Sequence, residues 1–365
     1  MKKRSILALL LAIAMLVALT ACGGAEEKPA ETTEAEAPAE GENVAEGAKG
    51  VIMITDIGGV NDQSFNQSAW EGLTALKEEL GDAVEISYIE SKQAGDYIPN
   101  METALDGGNA LIWGIGYNLS DSIKEAAAAN PDQKYGIIDF SYGDETPENV
   151  VCAVFKDQEN SFLVGYIAGK MTETGKVGFV GGSTSEVILN FENGYKAGVA
   201  YAAKEDGKTV DVDVQYAESF GDPAKGKAIA TTMYQQGSDI VFHASGGTGD
   251  GVIDAAIDAN KWVIGVDRDQ SEAAPNNMLV STVKGVGTAM KLISEDLIKN
   301  DTFEGGSTKV YGLADKSIDI AYANNDLVKE EVKTATEALK ETIAKGELVV
   351  PRTNEEFAAF LETLK

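Results

Sequence analysis

The stretch VIMITDIGGVNDQSFNQSAWEGL, residues 51–73, decides the fold. Five apolar or β-branched residues, 51–55, read as a buried strand; Gly58 and Gly59 break it; residues 65–80 then space their apolar side chains by three and four. The order is strand, glycine turn, helix. In an open α/β sheet, ligands gather at the loop that leaves the carboxyl end of a strand. This loop carries Asp56, Asn61, Asp62, Ser64, Phe65 and Asn66. An aromatic ring among hydrogen-bonding groups suits a flat polar heterocycle.

Outward from this stretch, strand-like runs alternate with helix-like ones: 84–89, 110–113, 135–139, 150–155, 177–180, 210–216, 240–243, 262–267 and 279–283. Such alternation predicts parallel sheets covered by helices on both faces. About 315 residues follow the first fifty, a length that suits two domains. Nearly every run ends in glycine or a polar residue: Asp56, Gly114, Asp139, Gly181, Ser245 with Gly246, and Asp267. Two such polar rims facing each other would form a two-lobed binder that closes like a jaw.

At the other end, Lys2, Lys3 and Arg4 precede the apolar run 6–19, which is too short to cross a membrane and has the flanks of a secretory signal. Leu19-Thr20-Ala21-Cys22 has the form of a bacterial lipobox, so Cys22 is expected to carry lipid after cleavage of residues 1–21. Each buried CH2 of an acyl chain adds roughly 0.8 kcal/mol, and more than one chain gives stable anchoring. The mature protein is then expected at the cell membrane, tethered on its extracytoplasmic face. Residues 23–50 hold eight glutamates and no aromatic residue, a composition that cannot bury enough surface to fold. A coil of that length reaches roughly 30 Å and reads as a spacer.

Composition excludes several function classes. Loss of Lys2, Lys3 and Arg4 takes the formal charge from −29 to −32; the linker's eight glutamates against Lys28 and Lys49 account for −6 of this, leaving −26 on the rest. Nucleic acid is therefore not an expected partner. Only Arg268 and Arg352 remain as arginines, which tilts the ligand towards an unphosphorylated one. Cys152, within an apolar run, reads as a small core residue, and with His243 the only histidine there is little material for a zinc site or a Ser-His-Asp triad.

Two glycine turns invite comparison with nucleotide motifs and fail it. In Ser245-Gly246-Gly247-Thr248-Gly249-Asp250-Gly251, Val252 stands where a dinucleotide fingerprint needs its third glycine; after Gly114-Ile115-Gly116, Leu119 does. Neither is followed by Gly-Lys-Ser/Thr. Close backbone approach to a neutral ligand, with Gly246 as the best candidate, is the expectation. Trp70 reads as core, and Trp113 as packing or the cleft rim.

The arrangement DxGGxxDxSFNxxxWEG at 56–72 resembles the basic membrane protein family, the purine nucleoside receptor type of ABC-transporter substrate-binding lipoprotein. The resemblance runs to about Lys284. It implies a periplasmic-binding-protein type I fold, an α/β architecture of two doubly wound parallel-sheet lobes joined by a hinge. Lobe 1 would hold 51–155 plus about 284–318, and lobe 2 would hold 156–283 plus about 319–365. By resemblance Phe65 and Phe191, from opposite lobes, match the stacking aromatics, Asp139 the residue that reads the base edge, and Asp267 with Lys284 the pair that holds the ribose. Read from periodicity alone, Phe65 and Phe191 equally suit core positions at helix starts, and Asp139 a helix cap. Asp56, Asp62, Ser64, Asn66, Gly114 and Gly246 complete the expected ligand-binding set, with no metal or cofactor.

The implied function is non-catalytic: a monomer that captures an extracellular nucleoside and delivers it to an ABC permease and ATPase on separate chains. A secreted nucleoside hydrolase is the alternative from another class, although its metal would need clustered aspartates where only Asp56 and Asp62 stand. The same fold acting as a sensor for a sugar or signalling molecule is a third.

Overall fold

The computed structural model describes residues 47–323 and 326–365; the expected signal, the lipidation site Cys22 and nearly all of the linker lie outside the described residues. Twelve strands among the described residues form two six-stranded sheets. The first contains β1 (Lys49–Ile54), β2 (Val84–Ile89), β3 (Leu111–Gly114), β4 (Lys134–Ile138), β5 (Val150–Phe155) and β11 (Ser307–Tyr311), in the order β11-β5-β4-β3-β1-β2. The second contains β6 (Lys176–Gly181), β7 (Asp211–Tyr216), β8 (Ile240–Ala244), β9 (Trp262–Gly265), β10 (Met278–Lys284) and β12 (Ile318–Tyr322), in the order β12-β10-β9-β8-β6-β7. Every pairing is parallel except β12 with β10.

The central strands of each sheet are apolar at successive positions because both their faces are covered. Val51 and Met53 point to one face, where they meet Ala69, Leu73 and Leu76 of α1 (Phe65–Leu80). Ile52 and Ile54 point to the other, against Tyr97 and Met101 of α2 (Tyr97–Asp106) and Ile123 of α3 (Ser120–Ala129). Each fully buried side chain of this size stabilises the fold by roughly 1.5–3 kcal/mol. Cys152 is buried in the second of these clusters as a free thiol.

The second sheet is flanked by α4 (Asp157–Met171), α5 (Glu186–Glu205), α6 (Pro223–Gln235) and α7 (Thr248–Ala259). After β10 the chain returns to the first sheet: α8 (Val286–Asn300) packs on α1 so closely that a Cβ at Gly72 would lie 2.2 Å from the Gly287 Cα, which requires glycine there. β11 then borders the first sheet and β12 the second, while α9 (Glu330–Ala344) packs on α4 and α10 (Asn354–Thr363) on α5. The chain thus passes between the halves three times, at 155–157, 284–286 and 311–318. Trp113, read above as packing or the rim, is fully buried and donates its indole N–H to Ser294 Oγ at 3.1 Å. No helix of the described residues is long and apolar enough to cross a membrane.

Candidate functional site

The carboxyl ends of both sheets converge on one cleft of about 550 Å³ of empty space, counted to its open mouth. That lies within the roughly 300–1,000 Å³ usual for small-molecule sites. Its first wall is the loop between β1 and α1. Asp62 accepts backbone N–H groups from Ser64 (3.0 Å), Asn66 (2.9 Å) and Gln67 (3.0 Å), and so caps α1. Asp56 Oδ1 accepts from Gly58 N at 2.9 Å and from Asn66 Nδ2 at 2.9 Å; the same Nδ2 also reaches Asp62 Oδ2 at 2.9 Å. Asn66 is thereby fixed with its amide nitrogen spent, and its buried Oδ1 has no hydrogen-bond partner among the described residues. A ligand donor would satisfy it.

Lys284, the last residue of β10, is the hub of the opposite side. Its ammonium donates to Asp139 Oδ2 at 2.6 Å and to Asp157 Oδ2 at 3.1 Å, and its backbone N–H donates to the Asp267 carbonyl at 2.9 Å. The Lys284 side chain is 2% exposed. Asp267 accepts a short hydrogen bond from Ser64 Oγ across the cleft. Burial pushes Asp267 and Asp56 up to about 6 each, and Asp157 up to about 8; it also raises Asp139, against the pull of Lys284. Burial pulls the Lys284 ammonium down, but Asp139, Asp157 and Asp267 outweigh it and hold the group above its ordinary value. One cation against three desolvated carboxylates is an acceptor-rich site, suited to a ligand that brings N–H and O–H donors.

Two rings face this hub. Phe65 opens α1 and Phe191 lies in α5, and each ring centroid is 5.4 Å from the Lys284 ammonium nitrogen. Their centroids are therefore at most twice that distance apart. Phe155 stands 5.1 Å from the same nitrogen. Further out, Tyr117 and Phe220 meet edge to face across the cleft, with centroids 6.4 Å apart. Arg268 with Glu71 (3.1 Å) and Gln270 Nε2 with the Gln63 carbonyl (3.1 Å) also join the two halves.

Of the expected residues, Asp56, Asp62, Phe65, Asn66, Asp139, Phe191, Gly246, Asp267 and Lys284 line the cleft. Gly246 adopts φ +54°, and a Cβ there would come within 3.3 Å of the Phe220 carbonyl. Ser64 and Gly114 are not among the lining residues. Ser64 is buried beneath the cleft and acts through Asp267. Gly114 faces away, where a Cβ would strike Ile123 and Leu119. Sequence reasoning missed Asp157, Tyr117, Asn118 and Phe220. None of them sits in a motif, although Tyr117 follows the Gly114-Ile115-Gly116 turn, a signal that pointed to the spot. His243 is fully buried and held neutral, pulled down to about 4 by burial, and its Nε2 lies 3.1 Å from Gln270 Oε1. Among the described residues no group of three or more His, Cys, Asp or Glu is placed to hold a metal ion.

Comparison with known proteins agrees with this geometry. Residues 49–354 match the family model of the ABC transporter substrate-binding protein PnrA-like family. The chain is 41% identical over 318 residues to an ABC transporter nucleoside-binding protein, BmpA, of Lactococcus lactis subsp. cremoris, covering 82% of this chain and 88% of that one. It is 39% identical over 315 residues to Basic membrane protein A of Borreliella burgdorferi, covering 86% and 90%. Among solved structures, an ABC transporter solute-binding protein from Aeropyrum pernix superposes with a TM-score of 0.78 at 26% identity, covering 87% of this chain and 97% of that one. With two parallel-dominated sheets, a cleft between their carboxyl ends and a match spanning nearly all of the described residues, the chain belongs to the PnrA-like family of ABC transporter substrate-binding proteins.

Proposed function

We propose that this protein is a lipid-anchored extracytoplasmic receptor that captures a nucleoside, a purine one, between its two halves and hands it to an ABC permease and its ATPase. The observation that carries the reading is the pair Phe65 and Phe191: rings from opposite halves, both lining one cleft and both 5.4 Å from one ammonium. A planar base between two rings gains roughly 1–3 kcal/mol per stacking contact, and only a closed cleft collects both. Acceptors line that slot, and the reading gives Asp139 to the N–H groups of the base edge and Asp267 to the ribose hydroxyls. The Lactococcus relative, described as nucleoside-binding, supports the same cargo. Lipid on Cys22 would hold the receptor at the membrane, as a monomer.

Its role is to bind and release, without chemistry. Asp56 and Asp62 are committed to Asn66 and to backbone N–H groups rather than poised around a nucleophile. A thermal-shift and calorimetric panel of purine nucleosides, pyrimidine nucleosides, free bases and pentoses tests the reading. A selective response to purine nucleosides without release of free base is expected. A response to pentoses alone, or turnover to free base, overturns it.

A further inference from the structure

The cleft has a neighbour. A second cavity of about 1010 Å³ of empty space, counted to its open mouth, adjoins the first, and the two share Tyr117, Asp139 and Val187. Tyr117 and Asp139 stand on loops of the first sheet and Val187 on α5 of the second. The partition is thus made of side chains from opposite halves. Behind it lie Asp157 and Gln158, at the start of α4. Asp139 Oδ1, Asp157 Oδ1 and Gln158 Oε1 are buried acceptors with no hydrogen-bond partner among the described residues, and each of the three residues is at most 8% exposed. Leaving buried acceptors unmet costs stability, so a donor-bearing group at this wall would be favoured.

The outer rim carries the opposite charge. Lys156 is paired with Glu159 at 3.3 Å, but no carboxylate among the described residues pairs with the Arg352 guanidinium. In a chain whose formal net charge is −29, an unspent guanidinium at a cavity rim is a specific anchor for an anion. Exposed Glu186 also lines the cavity and opposes a diffuse anion, so the contact must reach Arg352 itself.

We propose that this second cavity is a subsite for a substituent on the base edge of a purine nucleoside, and that it prefers substituents ending in a carboxylate. The inference rests on the nucleoside reading above, with Asp139 facing the base. A secondary exocyclic amine still offers Asp139 one N–H, and the chain on that nitrogen leads between Tyr117 and Val187 towards Arg352. N6-carboxyalkyl adenosines are the ligand class this geometry fits.

Calorimetry on the mature protein, with adenosine, an N6-carboxybutyl adenosine, its uncharged carboxamide and a 5′-extended adenosine, tests the proposal. The N6 derivatives are expected within about tenfold of adenosine and the 5′ derivative far weaker; the carboxylate should exceed its carboxamide by roughly 5- to 20-fold, an advantage lost in Arg352→Ala. Asn190→Trp, which fills the second cavity, should reject the N6 derivatives while binding adenosine normally; Ser141→Trp from the opposite wall repeats the test should the first variant misfold. Adenosine binding with exclusion of every N6 derivative overturns the subsite and leaves the nucleoside reading intact. Equal binding of carboxylate and carboxamide overturns the role of Arg352. Failure of all nucleosides to bind overturns the reading beneath, and this inference with it.

Discussion

Asp139 and Asp267 occupy matching places in the two sheets. Asp139 follows β4, fourth from the β2 edge of the first sheet, and Asp267 follows β9, fourth from the β7 edge of the second. Both hold left-handed backbone, φ +64° and +67°, which Asp and Asn tolerate better than most side chains. Both line the cleft, and Lys284 acts on the charge of each. The halves therefore repeat an architecture that leaves no recognisable repeat in the sequence, and they present equivalent acceptors to the cleft from two sides.

For Asp267 the physical argument separates charge from backbone. Its folded value of about 6 lies above its ordinary 3.8, so it contributes stability that is present below pH 4 and lost as the pH rises through 6. Asp267→Asn removes that loss and keeps a residue suited to left-handed backbone. At pH 7.5 the variant should be as stable as the parent or more so, by on the order of 1–3 kcal/mol, with the advantage fading below pH 4. Asp267→Ala should be roughly 1–2 kcal/mol less stable than Asp267→Asn. Denaturant melts across pH measure both; an Asn variant that is less stable only at high pH contradicts the sign.

Binding should titrate in the opposite sense. If Asp56 and Asp267 accept hydrogen bonds from the ligand, it favours their ionised forms, so nucleoside binding releases protons and affinity falls as the pH drops below about 6. Calorimetry in buffers of different ionisation heat counts those protons. Affinity that is flat between pH 5 and 7.5 would remove these carboxylates from the ligand.

The parallel core strands were legible because burial on both faces leaves an unbroken apolar signature. The edge strands β2 and β7 alternate polar and apolar residues and were still legible, whereas β11 (STKVY) and β12 (IDIAY), shorter edge strands of five residues, were not. In the site, acids at strand ends were legible from the rule that ligands sit at carboxyl ends. Their pairing was not. Lys284 and Asp267, near in sequence, suggest a pair, yet the ammonium bonds Asp139 and Asp157, 145 and 127 residues away, and only its backbone N–H meets Asp267. Asp157 itself reads as an ordinary first-turn acid of α4, and only the tertiary fold turns it inwards.

The two phenylalanines should behave differently on truncation. Each Phe→Ala change is expected to weaken nucleoside binding by roughly 1–3 kcal/mol. Phe191 is 2% exposed and packs on Phe242, with centroids 6.3 Å apart, so Phe191→Ala should also cost the fold about 3 kcal/mol or more. Phe65, half-buried at the start of α1, should cost much less. Combined melts and titrations separate the two effects, and unchanged affinity in Phe65→Ala removes the stacking arrangement.

Lys284→Met tests the hub directly. The substitution keeps the stem's volume but strands Asp139 and Asp157, both at most 8% exposed, without their cation. Breaking one side of a buried pair typically costs 3–5 kcal/mol. The loss should be largest at pH 8 and shrink at pH 5, because both carboxylates are already raised by burial and, without the ammonium, take up protons more readily. Asp157→Asn should be far milder, because burial raises Asp157 and an amide of the same size removes a charge that the site disfavours. Adding Asp157→Asn to Lys284→Met should recover part of the stability at pH 8 and little at pH 5. Melting temperatures of the three variants at both pH values decide the point, and a double variant no more stable than Lys284→Met at pH 8 would show that the cost of burying these carboxylates is not what the lysine offsets.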